Sequence, residues 1–232
     1  MFLLGLTGDI ACGKSTVARL LQERGAAHID ADALVHELYQ NPEFARQLQS
    51  HLRDIAPDNR VLDSLRDEAG HIDRRVLGTL VFENADLLRS LEAQVHPAVA
   101  HLREEKLQEL RSCAAPPRVV VLEAVKLVES GQVRGCNRVW WVTASPATQR
   151  QRLREQRGLS EEAAQSRMDN QPPRQTKLQQ LQQWQVPFNL IPNDGSLDDL
   201  RARVQMAWDE TVTSEPSSSD AASLLPDKDM TD

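Results

Sequence analysis

Residues 8–16 read GDIACGKST. Gly8, Gly13, Lys14 and Ser15 satisfy G-x-x-x-x-G-K-[ST] in full. The pattern has chemical meaning only between a strand and a helix. Residues 2–7 are a short apolar run, read as a buried parallel strand. Residues 14–24 carry Val17, Leu20 and Leu21 at helical spacing, and Gly25 stops them. In that setting the glycines let backbone N–H groups turn inward on phosphates. The helix N-terminus adds partial positive charge. Gly8, Ala11, Cys12, Gly13, Lys14, Ser15 and Thr16 are therefore the expected nucleotide cradle. Lys14 is expected to reach the β- and γ-phosphates of ATP, and Ser15 to bind Mg²⁺. Asp9 beside phosphates is read as an outward-facing residue bonded to its own loop. Cys12 is read as a passive small residue.

Working outward, "AAHID" at 26–30 is a second short strand and "ADALVHELYQ" a second helix. From 41 to about 112, apolar residues recur at three and four, so this stretch reads as nearly all helix, with Pro97 expected to kink or restart it. "VVVL" opens a buried strand within 118–122, and "RVWWVT" another at 138–143. Residues 146–182 are rich in Arg and Gln and read as exposed helices. Residues 187–191 form a last strand, followed by a closing helix capped by Ser196. From about 213 the tail reads as disordered. Alternating strands and helices make a doubly wound parallel sheet of the α/β class. The expected organisation is a single phosphate-loop domain over residues 1–212, with the helical insertion at 41–112.

The chain has 232 residues and a formal net charge of −7. An acidic balance argues against general binding to nucleic acid or to an anionic membrane. No apolar run approaches the roughly 18 residues of a spanning helix. The three cysteines, Cys12, Cys113 and Cys136, contain no CxxC pair and fit a reduced compartment. The opening "MFLLGLTG" lacks a basic region, so a cytoplasmic protein is expected.

The remaining question is what receives the phosphate. A GTPase would carry N-K-x-D, and the chain has no Asn-Lys pair. "DEAG" at 67–70 has no apolar strand before it and is read as chance. A small-molecule kinase remains. Asp30 and Asp32 close the second strand at the carboxyl edge, where open α/β sheets place ligands. One carboxylate there can accept a hydroxyl proton, while the other caps the following helix.

At this point the sequence becomes specific. Residues 3–38, LLGLTGDIACGKSTVARLLQERGAAHIDADALVHEL, resemble the start of the dephospho-coenzyme A kinase family: a phosphate loop, a glycine about ten residues on, then Asp-Ala-Asp. "DRRVLGTLVF" at 73–82 resembles the family's R-x-x-L-x-x-x-V-F, and "LEAQVHPAV" at 91–99 its L-E-x-x-x-H-P. Residues 145–171 resemble its lid, with Gln149, Arg152, Gly158, Ser160, Arg167 and Gln171 in register. "IPNDGSLDDL" resembles its closing strand, Asn-x-Gly and helix. The similarity spans about residues 1–208. It implies ATP-dependent phosphorylation of the ribose 3′-hydroxyl of dephospho-CoA. It also implies Asp32 as base, Lys14 and Arg152 on the transferred phosphate, and an acceptor site that draws on Asp32, Arg74 and His96. Three departures stand out. "EAVKLVES" places Val125 and Lys126 where Pro-Leu is usual, "WQVPFNLI" replaces Ala-Asp, and Asp9 and Ala11 occupy common glycine positions. Lys126 is a candidate partner for the acceptor's pyrophosphate.

Other residues carry weaker signals. Arg150, Arg154 and Arg157 step by four and three along one helical face. Such a face is usually solvated, but arginines opposite a triphosphate stabilise transition-state charge. Glu123 ends its strand where an acid can hold water on Mg²⁺. His28 and His36 look structural or exposed, and no histidine has metal spacing with the cysteines. Two readings outside the family remain on the residues alone: a kinase of a nucleoside or sugar acid, and a nucleotide sensor without turnover.

Overall fold

The computed structural model describes residues 1–56, 59–82 and 84–213. Five strands form one parallel sheet: β1 (Phe2–Gly8), β2 (Ala27–Asp30), β3 (Val119–Glu123), β4 (Arg138–Thr143) and β5 (Phe188–Pro192). Their order is β2-β3-β1-β4-β5, with every pairing parallel. Around the sheet lie α1 (Lys14–Gln22), α2 (Ala31–Tyr39), α3 (Pro42–Ile55), α4 (Arg74–Phe82) and α5 (Ala85–Ser112). They are followed by α6 (Pro146–Glu155), α7 (Glu161–Asp169), α8 (Arg174–Gln183) and α9 (Leu197–Thr213). The alternation expected from the sequence is present, and the fold is that of P-loop kinases.

Adjacent tryptophans show how the sheet sorts its faces, because neighbouring strand residues point to opposite sides. Trp140 joins a core with Leu4, Leu6, Val17, Leu20, Leu21, Leu200 and Val204, under α1 and α9. Trp141 joins the opposite core with Leu34, Leu48, Leu87, Val95, Val99 and Leu181, under α2, α3, α5 and α8. Both indoles are fully buried. Covered on both sides, the strands read as continuous apolar runs rather than alternating ones.

Register then decides what meets at the carboxyl edge. Asp30 of β2 pairs with Glu123 of β3, and Glu123 pairs with Leu6 of β1. Gly8 of β1 pairs with Val142 of β4. The ends of β2, β3 and β1 therefore stand side by side in that order, with the phosphate loop rising from β1, the central strand of the sheet.

The stretch 41–112 is almost entirely helical, and side chains start its helices. Asn41 Oδ1 accepts from the amides of Glu43 and Phe44, and Asn84 Oδ1 from those of Asp86 and Leu87. Of the two outcomes expected at Pro97, a kink or a restart, the restart does not occur: α5 continues through it. The ring removes one amide bond to Ala93. Buried Leu87, Leu91, Val95, Val99 and Leu107 anchor the helix on both sides of the gap, and a buried stripe outweighs one missing bond.

The helices of 146–182 are largely exposed, yet Gln149, Leu153, Ala164, Lys177 and Leu181 are buried. Ser196 caps the last helix, as expected: its Oγ accepts from Asp199 N at 3.2 Å, while Asp199 Oδ2 accepts from Ser196 N at 2.8 Å. That helix runs to Thr213. The tail read as disordered otherwise lies at 214–232, outside the described residues. Among the described residues no helix is long and apolar enough to cross a membrane.

Candidate active site

The loop after β1 is held by close backbone approach. A Cβ on Gly8 would lie 2.4 Å from Val142 O, and one on Gly13 would lie 2.3 Å from Asn193 Nδ2. Gly13 also has φ +91, in the left-handed region where side chains are strained. Ala11 sits at φ +53 without being glycine, at a cost of about 1 kcal/mol or more. This is one of the two positions where the loop departs from the common glycine.

Gly13 begins α1 without a capping side chain. The first amides of a helix lack internal acceptors, so this end offers free donors and partial positive charge to an anion. The cradle is braced from outside. Asn193, at the end of β5 and buried, donates from Nδ2 to Cys12 O at 2.8 Å. Arg152 donates to Ala11 O at 3.2 Å and to Asn193 O at 2.9 Å. Ile10 N donates to Gln171 Oε1 at 2.7 Å. Lys14 Nζ folds over the loop, donating to the carbonyls of Gly8 at 3.1 Å and Asp9 at 3.4 Å.

A cleft of about 430 Å³ opens over this cradle. Ala11, Cys12, Gly13, Lys14, Ser15 and Thr16 form its floor, Glu123 and Val125 one wall, and Arg152, Gln156, Arg157, Asn193, Gly195, Leu197 and Leu200 the other. Of the sequence candidates, Lys14, Ser15, Arg152 and Glu123 meet here. Cys12 is buried, and burial pushes its thiol upward in spite of the nearby Lys14 charge. It is a packed small residue, as expected.

The two aspartates have different surroundings. Asp30 Oδ1 accepts from Asp32 N at 2.9 Å and Ala33 N at 3.2 Å, capping α2. The Asp32 carboxyl is left free of that task. Its pKa is raised, first by burial and then by the charge of Asp30, with Glu123 adding to the rise. The Val125 amide and the Lys14 charge oppose the shift. Asp32 lies in the first turn of α2, just past the end of β2, and does not itself line the cleft that holds Lys14.

The arginines separate as well. Arg150 and Arg154 are each 3.1 Å from Glu161 and belong to an ion-paired face of the helices. Arg152 and Arg157 face the cleft. Arg74 is exposed at the start of α4, His96 is exposed within α5, and Lys126 is exposed in the turn after β3. None of the three lines the cleft that holds Lys14.

Four contributors to the site carried little or no signal in the sequence. Asn193 was visible in the Asn-x-Gly of "IPNDG", and Gln171 in the register of the lid, but neither showed what it would hold. His28 lies 3.0 Å from Glu123 and carried no signal of that pairing. Lys177, buried beside the loop, carried none either.

A glycine-lysine loop at the centre of a five-stranded parallel sheet, with a carboxylate at the neighbouring strand end, defines a P-loop kinase of a small hydroxyl acceptor. A family model for dephospho-CoA kinase (CoaE) matches residues 2–199, and the chain belongs to that family. It is 40% identical over 210 residues to the dephospho-CoA kinase of Symbiobacterium thermophilum, covering 90% of this chain and 80% of that one. It is 35% identical over 211 residues to that of Geobacter sulfurreducens, covering 90% and 98%. Among solved structures, TT1252 from Thermus thermophilus superposes with a TM-score of 0.66 at 30% identity, covering 90% of this chain and 97% of that one. The dephospho-CoA kinase from Campylobacter jejuni shares the fold, with a TM-score of 0.57 at 24% identity and coverage of 90% and 96%.

Proposed function

We propose that this chain transfers the γ-phosphoryl group of ATP to the ribose 3′-hydroxyl of dephospho-CoA, giving CoA and ADP. The observation that carries the reading is the phosphate cradle with Lys14 and Glu123 in one cleft, with Asp32 just past the end of β2, near enough to Lys14 and Glu123 to feel both charges. The cradle amides and Lys14 hold the phosphates in line. The acceptor oxygen bonds to the γ-phosphorus as the bond to the β–γ bridging oxygen breaks. Its proton passes to Asp32, and a carboxylate with a raised pKa is a better base for that step. Arg152, already at the loop, stabilises charge on the transferred group.

Ser15 and Glu123 both line the cleft, and hydroxyl and carboxylate oxygens are the hard donors that Mg²⁺ takes. When bound, the ion supplies charge neutralisation on the β- and γ-oxygens. The helices between 41 and 112 form the acceptor side, with Arg74, His96 and Lys126 as contacts made when dephospho-CoA arrives. Residues 145–171 form the lid. A cytoplasmic location fits the absence of any CxxC pair.

ATP consumption against a panel of hydroxyl acceptors tests the reading. Turnover with dephospho-CoA far above that with nucleosides, sugar acids or water supports it. Turnover with a nucleoside and none with dephospho-CoA would overturn it.

A further inference from the structure

Lys177 is the one lysine of α8, and it is buried. Its Nζ lies 3.1 Å from Glu129 Oε1 and 3.8 Å from Asp9 Oδ1, and 5.7 Å from the centre of the Trp141 ring. Arg174, one helical turn earlier, lies over the same ring at 5.6 Å. The other Glu129 oxygen, Oε2, is buried with no partner among the described residues. One buried cation thus answers two carboxylates, and a buried charge is tolerated only when it is paired.

The three partners belong to three different parts of the site. Asp9 is in the phosphate loop. Glu129 follows Val125, whose amide meets Asp32. Lys177 stands six residues after Gln171, which holds the next loop amide, that of Ile10. Asp9 O in turn accepts from Cys12 N at 3.4 Å. Residues 9 and 10 are therefore gripped from outside at consecutive positions, directly before the strained Ala11.

We propose that Lys177 is a positioning residue that clamps the outer face of the phosphate loop, through Asp9, to the segment carrying Glu129 and Val125. The inference rests on the phosphate-loop reading above and adds the device that keeps the cradle in shape. A loop with alanine at a left-handed position is not held by its own preferences. The clamp supplies the restraint, and amides that are already in place cost nothing to organise when phosphate arrives. The loop's unusual acid is then one half of the clamp, which explains why it does not repel the phosphates.

Two substitutions test this by opposite electrostatic signs. ATP affinity is measured by calorimetry on Lys177→Met and Asp9→Asn, beside KM for dephospho-CoA and the melting temperature. A clamp predicts that both variants bind ATP about tenfold or more weakly, because the loop must then be ordered when ATP binds. KM for dephospho-CoA should stay within about twofold. Charge alone predicts the reverse for Asp9→Asn, since removing an anion near phosphates strengthens their binding. ATP affinity in Asp9→Asn equal to or above wild type overturns the proposal, whatever its melting temperature. If Lys177→Met does not fold, Asp9→Asn carries the test alone. If wild type binds no ATP, the phosphate-loop reading falls, and this inference with it.

Discussion

The two sides of the sheet's carboxyl edge are built on different physics. The phosphate loop is made of backbone, and named polar contacts from Asn193, Arg152 and Gln171 fix it. The helices between 41 and 112 are fixed by apolar packing, with Leu48, Leu52, Leu87, Val95 and Val99 buried. Their polar candidates Arg74 and His96 stay exposed. A backbone cradle is complete before its ligand arrives. Exposed side chains gain partners only with one. Substitutions at the loop should therefore appear in nucleotide binding and kcat, and those in the helices in acceptor KM or in stability.

The largest effect is expected at the meeting point of the two sides. Asp32→Asn should lower kcat roughly 10²–10⁴-fold, the size of a lost general base, with ATP affinity nearly unchanged. Asp30→Asn should keep most of kcat, because Asn caps helices about as well as Asp. Steady-state kinetics of the two variants decide the assignment, and a reversed pattern would make Asp30 the base. The raised pKa of Asp32 adds a stability signature. Its protonated form is favoured in the folded chain, so ionisation costs stability that grows as pH rises through the folded pKa. Asp32→Asn should melt above wild type at neutral pH, and the gap should close as pH falls below that pKa. The acid limb of kcat/KM should also lie above the usual carboxylate value of about 4.

Lys14→Ala should reduce kcat/KM for ATP by at least about 10²–10³-fold, as for loss of one preorganised donor, while circular dichroism shows an intact fold. Activity within threefold of wild type would take Lys14 off the phosphates. On the helical side, Leu87→Ala should cost about 2–5 kcal/mol of stability in denaturant melts and leave ATP affinity alone at temperatures where the variant is folded. Lys126→Leu should raise KM for dephospho-CoA a fewfold and leave KM for ATP unchanged. An unchanged acceptor KM would leave Lys126 a solvent-facing lysine. Ala11→Gly should have the smallest effect, since relief of the left-handed strain offsets the extra unfolded-chain freedom, each on the order of 1 kcal/mol. A calorimetric Tm within a few degrees of wild type is the expected result.

The contrast also explains what was legible in the sequence. The phosphate loop could be read because its chemistry lies in consecutive residues with fixed dihedral demands. The helix cap at Asp30 could be read because a strand end and a helix start are both local. The brace on the loop could not, since Asn193 and Gln171 reach it from far along the chain, and only topology brings them there. Lys177 was hidden for a further reason. It lies among Arg and Gln in a helix with little apolar pattern, and composition places such lysines in solvent. Pro97 does not restart the helix because a buried stripe spans both sides of it.

This edge of the sheet passes phosphate from ATP to one hydroxyl of dephospho-CoA. Phosphorus NMR of the chain with MgATP and dephospho-CoA tests it most directly. A new phosphomonoester resonance on the ribose 3′-position, growing one for one with ADP, is the predicted result. ADP released with inorganic phosphate and no new phosphomonoester would contradict it.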